Sequence, residues 1–226
     1  IHVDGKINPL KDIEVINLEL ILADLQTVSK REQNLGRDVK AGKKEAIIEI
    51  ELVKRLKAAL ENGKLASSVT PTEFEKPFLK SLHLLTSKPI LYVLNKKAGG
   101  KNLDETNDPR FIELINFFKE QGALYTVVDA AIENDLKDLT EAEKNEMRTG
   151  LGAGDSGINT LIRKGYELLG LMTYFTTGDT ETRAWTVKIG STAPEAGAAI
   201  HGDFKEKFIR AEVIHCNDLL GSGSYA

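Results

Sequence analysis

Two short apolar runs, Pro89-Ile90-Leu91-Tyr92-Val93-Leu94 and Leu124-Tyr125-Thr126-Val127-Val128, bracket one amphipathic segment, and this arrangement constrains the fold more than any other stretch. Each run is too short for a helix and too continuously apolar for a half-exposed strand, so each reads as a strand buried on both faces. Between them Asp108-Pro109 is a helix start, with Asp as cap and Pro at the first helical position, where a missing N–H costs nothing. Phe111, Ile112, Leu114, Ile115 and Phe118 follow, and Gly122 ends the segment. Strand, helix and strand joined by a crossover of this length make a right-handed parallel unit. The expected fold class is α/β.

Upstream the period is helical. Asn8-Pro9 repeats the cap-and-proline start, and Leu18, Ile21, Leu25 and Val28 form a narrow 3-4-3 seam with Gly36 as a stop. A second helix is expected from near Gly42, with Ala46, Ile50, Val53, Leu56 and Leu60 as its buried row and Asn62-Gly63 as its end. A short charged link, Arg37–Lys44, makes the pair an antiparallel helical hairpin, and the charged remaining faces suit a projecting one. Thr70-Pro71-Thr72-Glu73 reads as a capping box opening a third helix, closed by Ser87-Lys88-Pro89.

Downstream, Thr140-Glu141-Ala142-Glu143 is another capping box, and a further helix is expected from Asp155 to Leu169. Arg183–Ile189 alternates like a strand around Trp185, Thr192-Ala193-Pro194 starts a short helix reaching about Ile200, and Phe208–Ile214 alternates again as a strand.

With 226 residues and 41% hydrophobic content the chain can bury one or two cores. A net charge of -4 argues against a protein held to DNA or RNA by bulk positive charge, and no DNA partner is expected. The single cysteine, Cys216, cannot form an internal disulfide and reads as a packing residue, since no base can be named to activate it. Ile1–Leu10 carries Asp4, Lys6 and Asn8 where a secretory leader needs an apolar core, and no run approaches the roughly 20 residues of a membrane span. A cytoplasmic protein without a membrane partner is expected.

Gly152-Ala153-Gly154-Asp155-Ser156-Gly157 matches G-x-G-x-x-G, but a dinucleotide loop must follow a strand, and Thr140–Leu151 reads as helix. The segment is expected to be a flexible link with Asp155 or Ser156 as the next cap. Asn95–Asn102 fails as a phosphate loop, because that motif needs Gly at 95 and a hydroxyl at 102, and both are Asn. Position suggests another role for Asn95: it stands at the C-terminal end of the first strand, where parallel sheets place ligands. His2, His83, His201 and His215 have no metal-ligand spacing with one another or with Cys216, so no metal site is assigned.

The stretches HVDGKINPLKDIEVIN, ELILADLQTV, LLTSKPILYVLN, GINTLIRKGYELLGLMTYFTTG, TRAWTVKIGSTAPEAGAAIH and DFKEKFIRAEVI together resemble the YchF/Obg-like ATPase family nearly end to end. The resemblance implies a P-loop NTPase-type parallel sheet interrupted by a helical hairpin and followed by an incomplete β-grasp (TGS) module. On it, residues 1–9 and 88–171 form the rear half of the nucleotide-binding domain, 10–87 the hairpin insertion, and 172–226 a truncated TGS domain. It also implies slow hydrolysis of ATP, less often GTP, with Mg²⁺, and association with the ribosome. The family's phosphate loop lies upstream of the HVDGKINP segment, so the expectation is a chain that does not hydrolyse nucleotide alone, and no catalytic residue is carried over.

Residue by residue, Asn95-Lys96-Lys97-Ala98 matches the family's base-reading motif at its Asn, while Ala98 replaces the carboxylate that reads the base edge. Asp129-Ala130-Ala131-Ile132-Glu133 aligns with the family's base-lining loop, and Asp129 replaces its usual small residue. Asn95, Lys96, Lys97, Ala98, Asp129, Ala130 and Ala131 are therefore the candidate purine pocket. The rival expectation is a non-catalytic ribosome- or RNA-binding module that uses the hairpin and a basic cluster of Lys205, Lys207 and Arg210.

Overall fold

The computed structural model describes residues 7–97, 100–150, 157–178 and 180–223. The expected 152–156 link with its Asp155 or Ser156 cap, His2 and Ala98 lie outside the described residues. The chain divides into two compact units, Ile1–Lys164 and Gly165–Ala226.

In the first unit α1 (Pro9–Lys40) begins as expected: Asn8 caps it through Oδ1, which accepts the Lys11 N–H at 3.2 Å. It runs past Gly36 to Lys40, and the break comes where Gly42 adopts φ +73°. One glycine in a helix costs only about 1 kcal/mol, and Leu35 and Val39 on either side of it are held by the core. After Ala41-Gly42-Lys43 the chain turns back into α2 (Lys44–Glu61), with Asn62 as its C-cap.

The buried stripe of α1 is Ile21, Val28 and Leu35, at a strict seven-residue spacing, packed against Ala46, Ile50, Val53, Leu56 and Leu60 of α2. Leu18, expected in the seam, is exposed. Counting back from the Arg31–Glu49 pair that joins the two helices, Leu18 falls level with Asn62, just past the last turn of α2. Asp24, which lies on the same stripe, is buried instead. Its carboxylate accepts the N–H groups of Leu85 (2.8 Å) and Thr86 (2.7 Å) and the Thr86 hydroxyl (2.7 Å), and Thr86 Oγ1 in turn accepts the Ala66 N–H at 2.9 Å. One buried side chain thus ties the helical pair to the segment that leads into the sheet.

The third helix, α3 (Lys76–Leu82), starts later than the Thr70 capping box predicts. Glu75 rather than Glu73 reaches back to a threonine N–H, that of Thr72 at 2.8 Å, because Arg55 holds the Glu75 carboxylate with two contacts of 2.6 Å. This tertiary pair fixes the turn and overrides the local motif. The helix also ends early, at His83 with φ +50°, and not at Ser87-Lys88-Pro89.

Strands β1 (Leu91–Asn95) and β2 (Leu124–Val128) pair in parallel, in register from Leu91↔Leu124 to Asn95↔Val128. The first begins two residues later than expected and is not buried on both faces, since Val93 is exposed. Helix α4 (Pro109–Gln121) covers the other face. Its Phe118 ring lies 4.8 Å from Tyr125 and 5.0 Å from Tyr92, and Ile13 of α1 joins this cluster. Ile112 points outward. The ends of α4 are as expected, with Asp108 as N-cap and Gly122 in the left-handed region.

Beyond β2 come α5 (Ala130–Leu136), α6 (Glu141–Gly150) and α7 (Gly157–Leu169). The Thr140 capping box forms, with Thr140 N–H donating to Glu143 at 2.8 Å. Buried Glu133 of α5 accepts from Arg148 of α6 at 3.1 Å and from the Gly157 N–H at 2.7 Å, gathering three helices.

The second unit holds an antiparallel pair, β3 (Leu171–Thr177) and β4 (Thr182–Lys188), with Tyr174 opposite Trp185. Arg183 lies 4.4 Å over the Trp185 ring, and the indole N–H donates to Thr176 at 2.8 Å. Helix α8 (Ala193–Ile200) carries a capping box of Thr192 and Glu195, and the Tyr174 hydroxyl donates to the Ala196 carbonyl at 2.7 Å. Short helices α9 (Asp203–Glu206) and α10 (Cys216–Ser222) follow. The strand expected over Phe208–Ile214 does not form: Ile209 is 90% and Val213 85% exposed. Alternation makes a strand only where a neighbour accepts its hydrogen bonds, and no described strand runs beside this one.

Candidate functional site

The parallel register ends with Asn95 opposite Val128, so the residues just past both strands meet at one edge. The Lys96 N–H donates to the Val128 carbonyl at 2.8 Å and closes the last rung. Asn95 Oδ1 accepts the Ala130 N–H at 3.1 Å, joining the two candidate segments directly. Because an N–H faces the amide, its oxygen is the atom turned toward Ala130, and its NH₂ is turned away. No described group takes that NH₂, and Asn95 is exposed.

Residues 129–133, read from sequence as a loop, are instead a cap and the first turn of α5. Asp129 is the N-cap: its Oδ1 accepts the N–H groups of Ala131 and Ile132, each at 3.1 Å. The misreading has a plain cause, since Ala130-Ala131 after an Asp is a helix start whose seven residues are too few to show a period. Ala130 and Ala131 are exposed and Asp129 is half-buried.

Lys96 turns its ammonium to Asp104 and to Glu105 (3.1 Å). These bonds, that to Asp104 foremost, raise the Lys96 pKa, and the same ammonium is the main cause that lowers that of Glu105. Asn102 completes the loop: its Oδ1 accepts the Lys97 N–H at 2.9 Å and its amide donates to the Gly100 carbonyl at 3.3 Å. Sequence reasoning missed Asn102, Asp104 and Glu105, whose role depends on a fold-back that no short spacing announces.

Lys205, Lys207 and Arg210 all stand in solvent, the first two on or beside α9 and the third on the irregular segment after it. Lys207 pairs with Asp203 at 3.3 Å. Among the described residues no group of three or more metal-ligating side chains is assembled, and no helix is long and apolar enough to cross a membrane.

Residues 171–226 match a family model named YchF-GTPase_C and described as a protein of unknown function, DUF933. A Bacillus subtilis protein named ribosome-binding ATPase YchF is 46% identical, over 100% of this chain and 61% of its own length. A Haemophilus influenzae protein of the same name is 42% identical over 97% of this chain and 60% of its own. Among solved structures, that of the Schizosaccharomyces pombe YchF GTPase superposes with a TM-score of 0.75 at 28% identity, covering 99% of this chain and 61% of that one. The chain thus spans about three fifths of the length of the relatives it matches. With this similarity running along essentially all of its residues, the chain belongs to the YchF family.

Proposed function

We propose that this chain carries the base-holding part of a purine nucleotide site in a longer, ribosome-associated ATPase of the YchF type. The observation that supports it most is the Asn95–Ala130 hydrogen bond. It joins two strand ends at the edge where parallel sheets bind ligands, and the Asn95 NH₂, which no described group takes, is placed to donate to a purine ring nitrogen. Lys96 and Lys97 form one wall of this site, with the Lys96 ammonium anchored on Asp104 and Glu105, and Ala98 is assigned to it from the motif alone. Asp129, Ala130 and Ala131 form the other. ATP, and less readily GTP, is the assigned nucleotide; no residue of this chain is assigned to its phosphates or to Mg²⁺. Positioning and charge neutralisation at the phosphates drive phosphoryl transfer, so hydrolysis is assigned to the longer protein and this chain alone is inactive. On this reading residues 10–87 are the family's hairpin insertion, 172–226 is part of its TGS module, and the protein works in the cytoplasm.

The test is saturation-transfer NMR of adenosine with the 226-residue chain and its Asn95→Ala variant. A signal present in the parent and lost in the variant, with unchanged circular dichroism, supports the site. Equal signals remove Asn95 from it. A second reading, a non-catalytic ribosome-binding module, draws on the exposure of Lys205, Lys207 and Arg210. Salt-sensitive cosedimentation with ribosomes that ignores ATP and falls when these three are replaced by Ala would favour it.

A further inference from the structure

At the end of β2 three successive backbone donors are already consumed. Ala130 N–H is donated to Asn95, and Ala131 and Ile132 N–H are both donated to Asp129 Oδ1. The pairing leaves two polar groups on this edge without a partner among the described residues. One is a donor, the NH₂ of Asn95, and the other an acceptor, the second carboxylate oxygen (Oδ2) of Asp129. They belong to adjacent chain segments, Asn95 closing β1 and Asp129 following β2, and Asn95 bonds the residue next to Asp129.

One donor beside one acceptor matches the outer edge of adenine, which offers the N7 acceptor next to the N6 amino donor. Guanine offers N7 and O6, two acceptors, and would set O6 against a carboxylate while the Ala130, Ala131 and Ile132 N–H groups are already taken. A polar group forced against its like and left unpaired is the strongest source of discrimination a small site possesses.

We infer that Asp129 is the base-selecting residue of this site: its free carboxylate oxygen accepts the amino group of adenine and repels the oxygen of guanine. The inference rests on the nucleotide-site reading and adds to it the group that distinguishes one purine from the other. Selection then does not need a carboxylate at position 98, where this chain carries Ala.

The substitution Asp129→Asn tests this without removing the helix cap, since an amide oxygen caps as well as a carboxylate. It turns the outward acceptor into a donor, the group that O6 requires. Adenosine and guanosine are titrated separately against the 226-residue chain by ligand-observed NMR, for the parent, Asp129→Asn and Asp129→Ser. The parent is expected to favour adenosine by about tenfold, the discrimination that one well-placed hydrogen bond to a base edge provides. Asp129→Asn is expected to reverse that order or bring it to parity, and Asp129→Ser, which keeps a capping oxygen and presents no outward carboxylate, to lose the preference. Adenosine preference undiminished in both folded variants overturns the role of Asp129 while leaving the site standing. A parent chain that binds neither nucleoside, or binds both as well after Asn95→Ala, overturns the site itself and this inference with it.

Discussion

Asn95 and Ala130, 35 residues apart, are joined by one hydrogen bond of 3.1 Å from the Ala130 N–H to the Asn95 side-chain oxygen. Because the bond is exposed, its loss costs the fold little, about 0.5–1.5 kcal/mol. Asn95→Ala should therefore lower the urea midpoint slightly, and Asn95→Asp should keep the acceptor for Ala130 while removing the outward NH₂. Nucleoside binding should be lost in both variants. Binding retained in Asn95→Asp would show that the amide donor has no part in it.

Asp24 is a far more costly residue to alter. Its carboxylate accepts both the Leu85 N–H and the Thr86 N–H, in a site where Asp24 is 2% exposed. Asp24→Ala strands these donors, and each buried unsatisfied group costs about 1–3 kcal/mol, so a total loss of about 3 kcal/mol or more is expected. Urea unfolding monitored by circular dichroism measures it. A loss below about 1 kcal/mol would mean that water reaches these groups.

Two glycines should respond to alanine in opposite directions. At Gly157 a Cβ would lie 3.1 Å from Val128 Cγ1 and 3.3 Å from both the Val128 Cα and Glu133 Oε1. Gly157→Ala is expected to destabilise by about 1–3 kcal/mol, the usual cost of overpacking. At Gly36, inside α1, a Cβ meets nothing within 4 Å. Gly36→Ala should stabilise by about 0.5–1 kcal/mol through helix propensity. Thermal melts of the two variants against the parent decide both: a Gly157→Ala variant no less stable than the parent would contradict the packing around Gly157, and a destabilised Gly36→Ala the open space at Gly36.

Acid should weaken the fold partly through Asp108. The Arg110 side chain bonds both of its oxygens, at 2.8 and 2.6 Å, and the Arg110 N–H adds a third bond at 2.9 Å. Together, the side chain first, they hold its pKa at about 2, below the ordinary 3.8. A carboxyl depressed in the folded state stabilises it above the unfolded-state value, and that contribution fades as the pH falls from about 4 to about 2. Asp108→Asn, which keeps a capping oxygen, should flatten this acid limb in urea midpoints taken across that range. An unchanged slope would assign the limb to other carboxylates, such as Glu75 beside Arg55.

Phe208–Ile214 shows what alternation cannot do by itself. Ile209 and Val213 stand in solvent, so Ile209→Ser should change stability by no more than about 0.5 kcal/mol. A thermal melt checks this, and a substantial loss would mean that the residue is covered in solution.

What could be read from the residues alone was what short-range chemistry controls. Asn8-Pro9 and Asp108-Pro109 cap their helices, Gly122 ends one, and the Thr140 box closes, because each needs only partners a few residues away. The parallel pairing of β1 with β2 joins distant residues and was legible on another ground, two apolar runs and a crossover of fixed hand. Tertiary contact decided the rest. Arg55 captured Glu75 and moved the start of α3, the end of α2 stranded Leu18, and the lack of a neighbouring strand left Phe208–Ile214 unpaired. At the site, sequence placed Asn95 and Asp129 at two strand ends but could not say how their polar atoms divide. Only the folded chain assigns one face of each side chain to neighbouring backbone N–H groups and leaves the other open, because hydrogen-bond capacity is shared out in three dimensions.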